Sequence, residues 1–505
     1  MRSSLVCSLT FLTFNIFAQQ VEPGAIGYYQ DASIFAQSTV PMGTARVQGL
    51  GGANVAVGAD AFSTVSNPAG LGLVKNGQFN IGLAFNNYGS KSSYINTDTQ
   101  GSYNYLKLNN ISIVIPIESF GDSKYKGGGI GISVIRTNNF QRRFSYSGTN
   151  TRSTMADRFT ALADGINANI LEAEAASGEI LDLASLSYSG FVISPYLDDS
   201  TSYYTEFRDV NNNLVAPIRQ QETYQTKGGE TTFHISYGGN YNDKLFFGFG
   251  LGITTLRYSL NSVYNESLTR QAAPSELQEF TLKNNRSTKG GGVNFNLGFI
   301  ARPVDFIRFG ASITTPTFYA LAEKDENTMI AISRNFNPVT NSTIPSELNF
   351  QYTSPLRANA GAAFFFNKAG FFTLEAEWVN YKGMSVTSLD TDIEADNKTI
   401  KNLYGSAFNI RSGIEGRFDI FRVRGGAAYM QNALKTKLDD VNRDIFSFSG
   451  GLGLYLKTFS LDLGVTYTPS NSIYTPYTLN NRDLFYSVES KNTQISGIMT
   501  VSFLF

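Results

Sequence analysis

The 505-residue chain is predicted to be all-β, closed into a transmembrane antiparallel barrel of about fourteen strands, and three observations carry that expectation. From Gln78 onward, apolar residues alternate with small or polar ones in segments of roughly 10–15 residues, the pattern of tilted strands showing one face to lipid. Connections between these segments alternate between tight turns and long polar stretches, which places turns at one end of a barrel and loops at the other. Charged residues make up 16% and aromatic residues 13%, with 47 Gly beside 14 Pro, so strand formers and small residues dominate over surface charge. Beyond the N-terminus no apolar run approaches the roughly 18 residues of a spanning helix.

Taken in order, Leu5–Phe17 is mostly apolar behind Arg2, and Ala18 precedes Gln19-Gln20. This reads as a signal peptide over residues 1–18, cut after Ala18, on a chain exported to the outer membrane of a Gram-negative bacterium. Cys7, the only cysteine, is lost with it. Residues 19–77 are rich in small residues and weakly periodic, poor as spanning strands, and are expected to fill the barrel lumen as a hatch. The barrel itself is assigned to residues 78–505.

Its strands are expected near 78–88, 104–117, 127–140, 229–241, 244–259, 288–302, 305–315, 346–366, 370–383, 403–418, 419–432, 444–457, 459–469 and 493–505. In one of them Leu245, Phe247, Phe249, Leu251 and Ile253 share a face, with Gly248, Gly250 and Gly252 on the other. Tight turns fall at 238–243, 302–305, 367–370, 417–419 and 457–458, with a slightly longer one at 118–126. Long polar connections fall at 260–287, 316–345, 384–402 and 470–492. Within 150–190 the period changes: Met155, Phe159, Leu162, Ile166 and Ile170 step by four, three, four and four, one face of a helix. A second helical piece is expected near 172–186, with Ala-Ala-Ser-Gly as the break. That face can pack within its own loop or capture an apolar ligand or partner.

The motifs Gly43-Thr-Ala-Arg46, Gly51-Gly52-Ala53, Gly58-Ala-Asp60-Ala61 and Asn67-Pro68-Ala69-Gly-Leu71 resemble the hatch of the FadL/TodX-type outer-membrane transporters of long-chain fatty acids and aromatic hydrocarbons. More loosely, the strand number, the helical insertion and the aromatic terminus Phe505 resemble that family along the whole chain. The resemblance implies a monomeric barrel plugged near its N-terminus, a helical insertion in the third extracellular loop, and sideways release of hydrophobic molecules through a kink in the third strand. Here the corresponding place is Gly127-Gly128-Gly129-Ile-Gly131, a glycine-dense strand start. Pocket-lining residues are not transferable, because the lining follows no short motif.

Two clusters carry candidate chemistry. Glu375 and Glu377, then Arg411, Glu415 and Arg417, then Arg422 and Arg424 fall opposite the apolar residues of successive strands. A charge facing lipid costs roughly 2–4 kcal/mol near the midplane, so these are expected to point into the lumen. They form either an ion-pair lattice that bridges strands or anchors the hatch through Arg46, or a site where one Arg binds a carboxylate. His234-Ile-Ser236 has the spacing of outer-membrane phospholipases, but alternation puts the pair on a lumen face near the turn end, as polar filler.

Forty Lys and Arg against 41 Asp and Glu give a net charge of −1, and the scattered cations offer no basic face for nucleic acid. With one His and one Cys, no thiolate or multi-histidine metal site is available, and no cofactor is expected. The sequence therefore points to a non-enzymatic outer-membrane barrel for passive uptake of hydrophobic small molecules. The alternative is an accessory or shuttle subunit of an outer-membrane secretion or assembly complex, which holds other proteins by its outer loops.

Overall fold

Alternation closes the chain into a ring. The computed structural model describes residues 21–38, 41–119, 124–274, 276–436 and 440–505, so the expected signal peptide lies outside the described residues. Nineteen strand segments form one antiparallel sheet occupying 14 positions around a barrel. It opens with β1 (Gln78–Tyr94), β2 (Thr97–Ile117), β3 (Tyr125–Asn139) and β4 (Arg142–Asn150), β4 continuing β3 along the same edge of Ile218–Tyr241. Val488–Leu504 pairs with Phe459–Tyr474 on one side and with β1 on the other, which closes the ring.

The outer face carries the lipid belt. Leu245, Phe247, Phe249, Leu251 and Ile253 are 36–58% exposed, while the glycines between them face inward and are buried. Above the belt, exposed positions turn polar at Thr255 and Arg257, yet the strand runs on to Leu268 and its partner spans Leu277–Val304. Much of the expected polar connections 260–287, 316–345 and 470–492 is therefore strand. Backbone pairing continues after lipid ends, and only the apolar marking of the outer face stops there. The first hairpin likewise runs unbroken to a two-residue turn at Ile95 and Asn96, both at positive φ.

The insertion between β4 and Ile218–Tyr241 holds helices Ala156–Ala163, Ala168–Ser177 and Leu183–Ser189. Asn167 accepts from the amide of Asn169 to start the second of these, which breaks the expected face at 164–167. Met155 and Phe159 are buried among strand tops, with Leu162 and Ile166 packed against them, whereas Ile170 is exposed. Because the turn at 95–96 is the first connection at that end of the barrel, this insertion is the second there, not the third.

Residues 41–77 lie inside the ring, in short helices and turns. Asn67 Nδ2 donates to the carbonyls of Val55 (2.7 Å) and Phe299 (3.2 Å), and its Oδ1 accepts from Ala69 N (3.1 Å), starting the 3-10 helix Pro68–Leu73. A side chain at wall residues Gly238, Gly248 or Gly298 would collide with Asn67 or Pro68, so these strands are flat where that turn is pressed against them. Above it sits α1 (Tyr28–Ala36), packed on Tyr258, Phe350 and Tyr352.

Candidate functional site

The expected charge cluster is a lattice between adjacent strands. Arg411 bridges Glu375 (2.9 Å) and Glu377 (2.6 Å), and Glu377 also accepts from Arg357 (3.3 Å) and Asn409 (2.7 Å). Glu415 takes Arg417 and Arg424 at 2.8 Å each, and Arg424, with no exposed side-chain surface, continues to Asp462 at 2.6 Å. The N-terminal segment joins this lattice twice. Asn54 N and Val55 N both donate to Glu375 Oε2 at 2.9 Å, and Arg46 lies 3.5 Å from Glu415 and 3.6 Å from Asp60. Burial opposes the Arg46 charge, but Glu415 and Asp60 outweigh it and raise the guanidinium above its ordinary value. Gly51 and Gly52 take positive φ beside it, and a side chain on Gly51 would meet the carbonyl of Ala427 at 2.7 Å. Arg422 lines a cavity with Arg46, Glu415 and Arg417 but has no ion pair among the described residues; it donates to the carbonyls of Asp419 and Phe421 at the turn end.

Between α1, residues 41–66 and the wall lies a cavity of about 200 Å³. Phe35, Met42, Phe62 and Tyr319 give it an apolar side, and Glu230, His234 and Arg357 a polar one. His234 forms no nucleophilic pair. Ser236 Oγ donates to the carbonyl of Thr64 at 2.8 Å, and His234 Nδ1 has no hydrogen-bond partner among the described residues.

The third strand is interrupted, but not at its glycines. Gly128, Gly129 and Gly131 are paired on both sides, to Ile117, Pro116 and Val114 of β2 and to Gly239, Gly238 and Ser236, with only a bulge at 126–127. The expected wall defect at Gly127–Gly131 is therefore corrected: these glycines let Leu71 and Thr64 approach the wall. The break falls where β3 passes into β4, at Phe140–Gln141. There β2 pairs with β3 only over Asn110–Ile117, leaving 104–109 without ladder bonds to 136–141. Leu106 and Leu108 beside this stretch are 70% and 49% exposed, so it stands at the height of the lipid belt. Tyr105 OH accepts from Asn139 Nδ2 (2.6 Å) across it.

Thr137 and Asn138 at the break also line the cavity. Asn138 Nδ2 donates to the carbonyl of Phe35 at the end of α1 (2.9 Å), and Asn109 Nδ2 to that of Gly43 (2.8 Å). At its other end, α1 is held by Asp396 of the outer helix Glu394–Leu403, which accepts from the amides of Ile26, Gly27 and Tyr29. Asp31 on α1 faces Arg286 at 3.3 Å, yet burial pushes its carboxyl up to about 7.

A barrel of this size with its N-terminal segment inside matches known structures over nearly its whole length. A Pseudomonas aeruginosa FadL homologue aligns with a TM-score of 0.56 at 12% identity, covering 93% of this chain and 99% of that one. The fold is that of the FadL-type barrels. The Pseudomonas putida toluene transporter TodX aligns with 0.51 at 12% identity over 93% and 99%. A deletion variant of the TodX monoaromatic hydrocarbon channel gives 0.53 at 13% identity over 92% and 99%. None of the three is named as an enzyme. No protein-family model matches the sequence, and no curated protein does.

In this FadL-type barrel the wall break and the anchors of α1 were not legible in the sequence. Residues 136–141 alternate less cleanly than the stretch before them, the one local signal available. Asp396 and Asn138 reach α1 across more than 100 positions of chain, so no spacing rule connects them.

Proposed function

We propose that the chain is an outer-membrane transporter for passive uptake of hydrophobic small molecules, fatty-acid- or hydrocarbon-like, with lateral release into the membrane. The observation that carries this reading is that the lumen cavity reaches the wall at Thr137 and Asn138, where β2 and β3 lose their pairing at lipid height. An unpaired backbone is tolerable at that depth only where it borders a cavity or bound ligand. Residues 19–77 serve as the hatch, tied to the wall by Asn67-Pro68-Ala69, Arg46, Gly51 and Gly52, and exported behind the 1–18 signal. A toluene transporter and a hydrocarbon channel share the fold, which supports the substrate class. No nucleotide motif is present in the sequence, so flux follows the substrate gradient, with α1 moving to connect cavity and opening.

The test is a barrel carrying Tyr105→Cys with Asn139→Cys, joined by a short bis-maleimide. Uptake of a radiolabelled long-chain hydrocarbon or fatty acid should fall to the level of cells without the protein and stay normal before cross-linking. Unchanged uptake after complete cross-linking would refute lateral release.

A second reading, an accessory or shuttle barrel, is favoured by one observation. Phe191, Leu197 and Val210 on the outer insertion are large apolar side chains left 65%, 110% and 101% exposed. Loss of a co-purifying outer-membrane protein on changing these three to Ser, with uptake intact, would support it.

A further inference from the structure

The charges that line the lumen cavity are already matched. Of its two guanidinium groups, Arg411 is held by Glu375 at 2.9 Å and Glu377 at 2.6 Å, and Arg357 by Glu377 at 3.3 Å. Arg357 also donates to the carbonyl of Ala36 at 2.6 Å. The remaining carboxylate of the lining, Glu230, accepts from Tyr319 OH at 2.9 Å. An anionic head group in this space would meet Glu230, Glu375 and Glu377 with no lining cation to spare, and like charges repel strongly away from bulk water.

What the lining leaves unsatisfied is uncharged. Buried polar atoms without a partner occur elsewhere in the barrel, at Asn86 and Thr466 for example, but two belong to described residues of the cavity lining, His234 Nδ1 and Asn294 Oδ1. These two side chains converge. His234 and Asn294 flank Gly252 on the strands either side of it, and a Cβ at Gly252 would lie 2.8 Å from His234 Cε1 and 2.5 Å from Asn294 Oδ1. Asn294 Nδ2 donates to Thr317 Oγ1 at 2.9 Å, which leaves the amide oxygen as the free end. A buried polar atom without a partner is costly, so a pair of them facing one space calls for an occupant. A hydroxyl satisfies both: its proton goes to Asn294 Oδ1, which only accepts, and its oxygen accepts from His234 when the imidazole carries its proton on Nδ1. Phe35, Met42 and Phe62 supply apolar lining for the rest of the molecule. At about 200 Å³ the space suits one ring with a small substituent, since an apolar cavity of about 150 Å³ holds benzene.

We propose that His234 and Asn294 form a binding site for the hydroxyl of a small uncharged aromatic alcohol of the phenol class, its ring against Phe35, Met42 and Phe62. This deepens the transport reading and rests on it: the site selects a neutral hydroxyl compound over the hydrocarbon of the same shape and over the corresponding carboxylate. A hydrocarbon leaves both polar atoms unpaired, the condition under which a site built for a hydroxyl rejects its isostere. Partners for the hydroxyl also continue toward the wall break. Thr232, two residues before His234, is joined at 3.0 Å each to Thr254 and to Thr137, and all three line the cavity.

The experiment equilibrates the intact barrel in lipid nanodiscs with radiolabelled phenol, toluene or benzoate at neutral pH, with empty discs as the blank. Wild type is expected to hold phenol about tenfold more tightly than toluene, a difference of about 1.4 kcal/mol, and benzoate no better than the blank. His234→Leu with Asn294→Leu should abolish the preference for phenol, and His234→Gln, which keeps a donor and an acceptor, should retain it. Heat-modifiable mobility on gels confirms that each variant folds. Equal retention of phenol and toluene by wild type assigns the two polar atoms to water and overturns the proposal. So does a preference that survives in the double variant, or benzoate held as tightly as phenol. The transport reading is judged apart, because hydrocarbon uptake and its block by the 105–139 cross-link do not involve a hydroxyl.

Discussion

Replacing Glu415 by Gln tests whether the charge lattice holds the N-terminal segment in the barrel. Three guanidinium groups converge on this carboxylate, Arg424 and Arg417 at 2.8 Å and Arg46 at 3.5 Å, with 0%, 30% and 13% of their side chains exposed. Removing one partner of a buried pair costs about 3–5 kcal/mol when the other is stranded. Here Arg424 keeps Asp462, Arg46 keeps Asp60, and the Gln amide oxygen retains one acceptor, while the Arg417 share is discounted for solvent screening. A loss of about 2–3 kcal/mol is therefore expected. The assay is urea unfolding in lipid vesicles followed by fluorescence of Trp378, the only tryptophan, on the strand that also carries Glu375 and Glu377. Trypsin sensitivity of residues 41–77 is read in parallel and should rise in the folded variant. In a double-mutant cycle with Arg46→Met, the coupling should be about 1 kcal/mol or less, since that contact is the longest of the three. A change below about 0.5 kcal/mol with unaltered proteolysis would refute the idea that the lattice anchors the segment.

Gly248→Val should press the wall into Pro68, costing about 1–3 kcal/mol and exposing 41–77 to protease, whereas Phe249→Leu on the lipid face of the same strand should do neither. Asp31 keeps its proton up to about 7 in the folded chain but loses it near 3.8 when unfolded, so its contribution to stability falls as pH rises across that window and is level above it. Amide exchange in α1, corrected for intrinsic rate, should accordingly be faster at pH 8 than at pH 5, and Asp31→Asn should flatten the difference. His234→Ala should change no phospholipid hydrolysis, since Ser236 is engaged with Thr64; activity that disappears with this change would reverse that assignment.

The sequence by itself determined the parts of this protein that are repetitive. Fourteen alternating segments, the turns between them and the inward side of Glu375, Glu377, Arg411, Glu415 and Arg424 all follow from one rule, that lipid accepts apolar faces and rejects charges. The rule lapses where lipid ends, so strand extensions such as 260–268 and 277–287 read as loops although their backbones pair as well as any others. It also fails where a residue answers to a distant one. Gly127–Gly131 looked like a weakness in the wall because glycine removes side-chain packing; only the arrival of Leu71 and Thr64 from the N-terminal segment shows that glycine there makes room. The actual break at Phe140–Gln141 was decided by how two strands diverge in space. Hydrogen bonding between strands depends on register with a neighbour, and a single strand's pattern carries no record of where that neighbour leaves it.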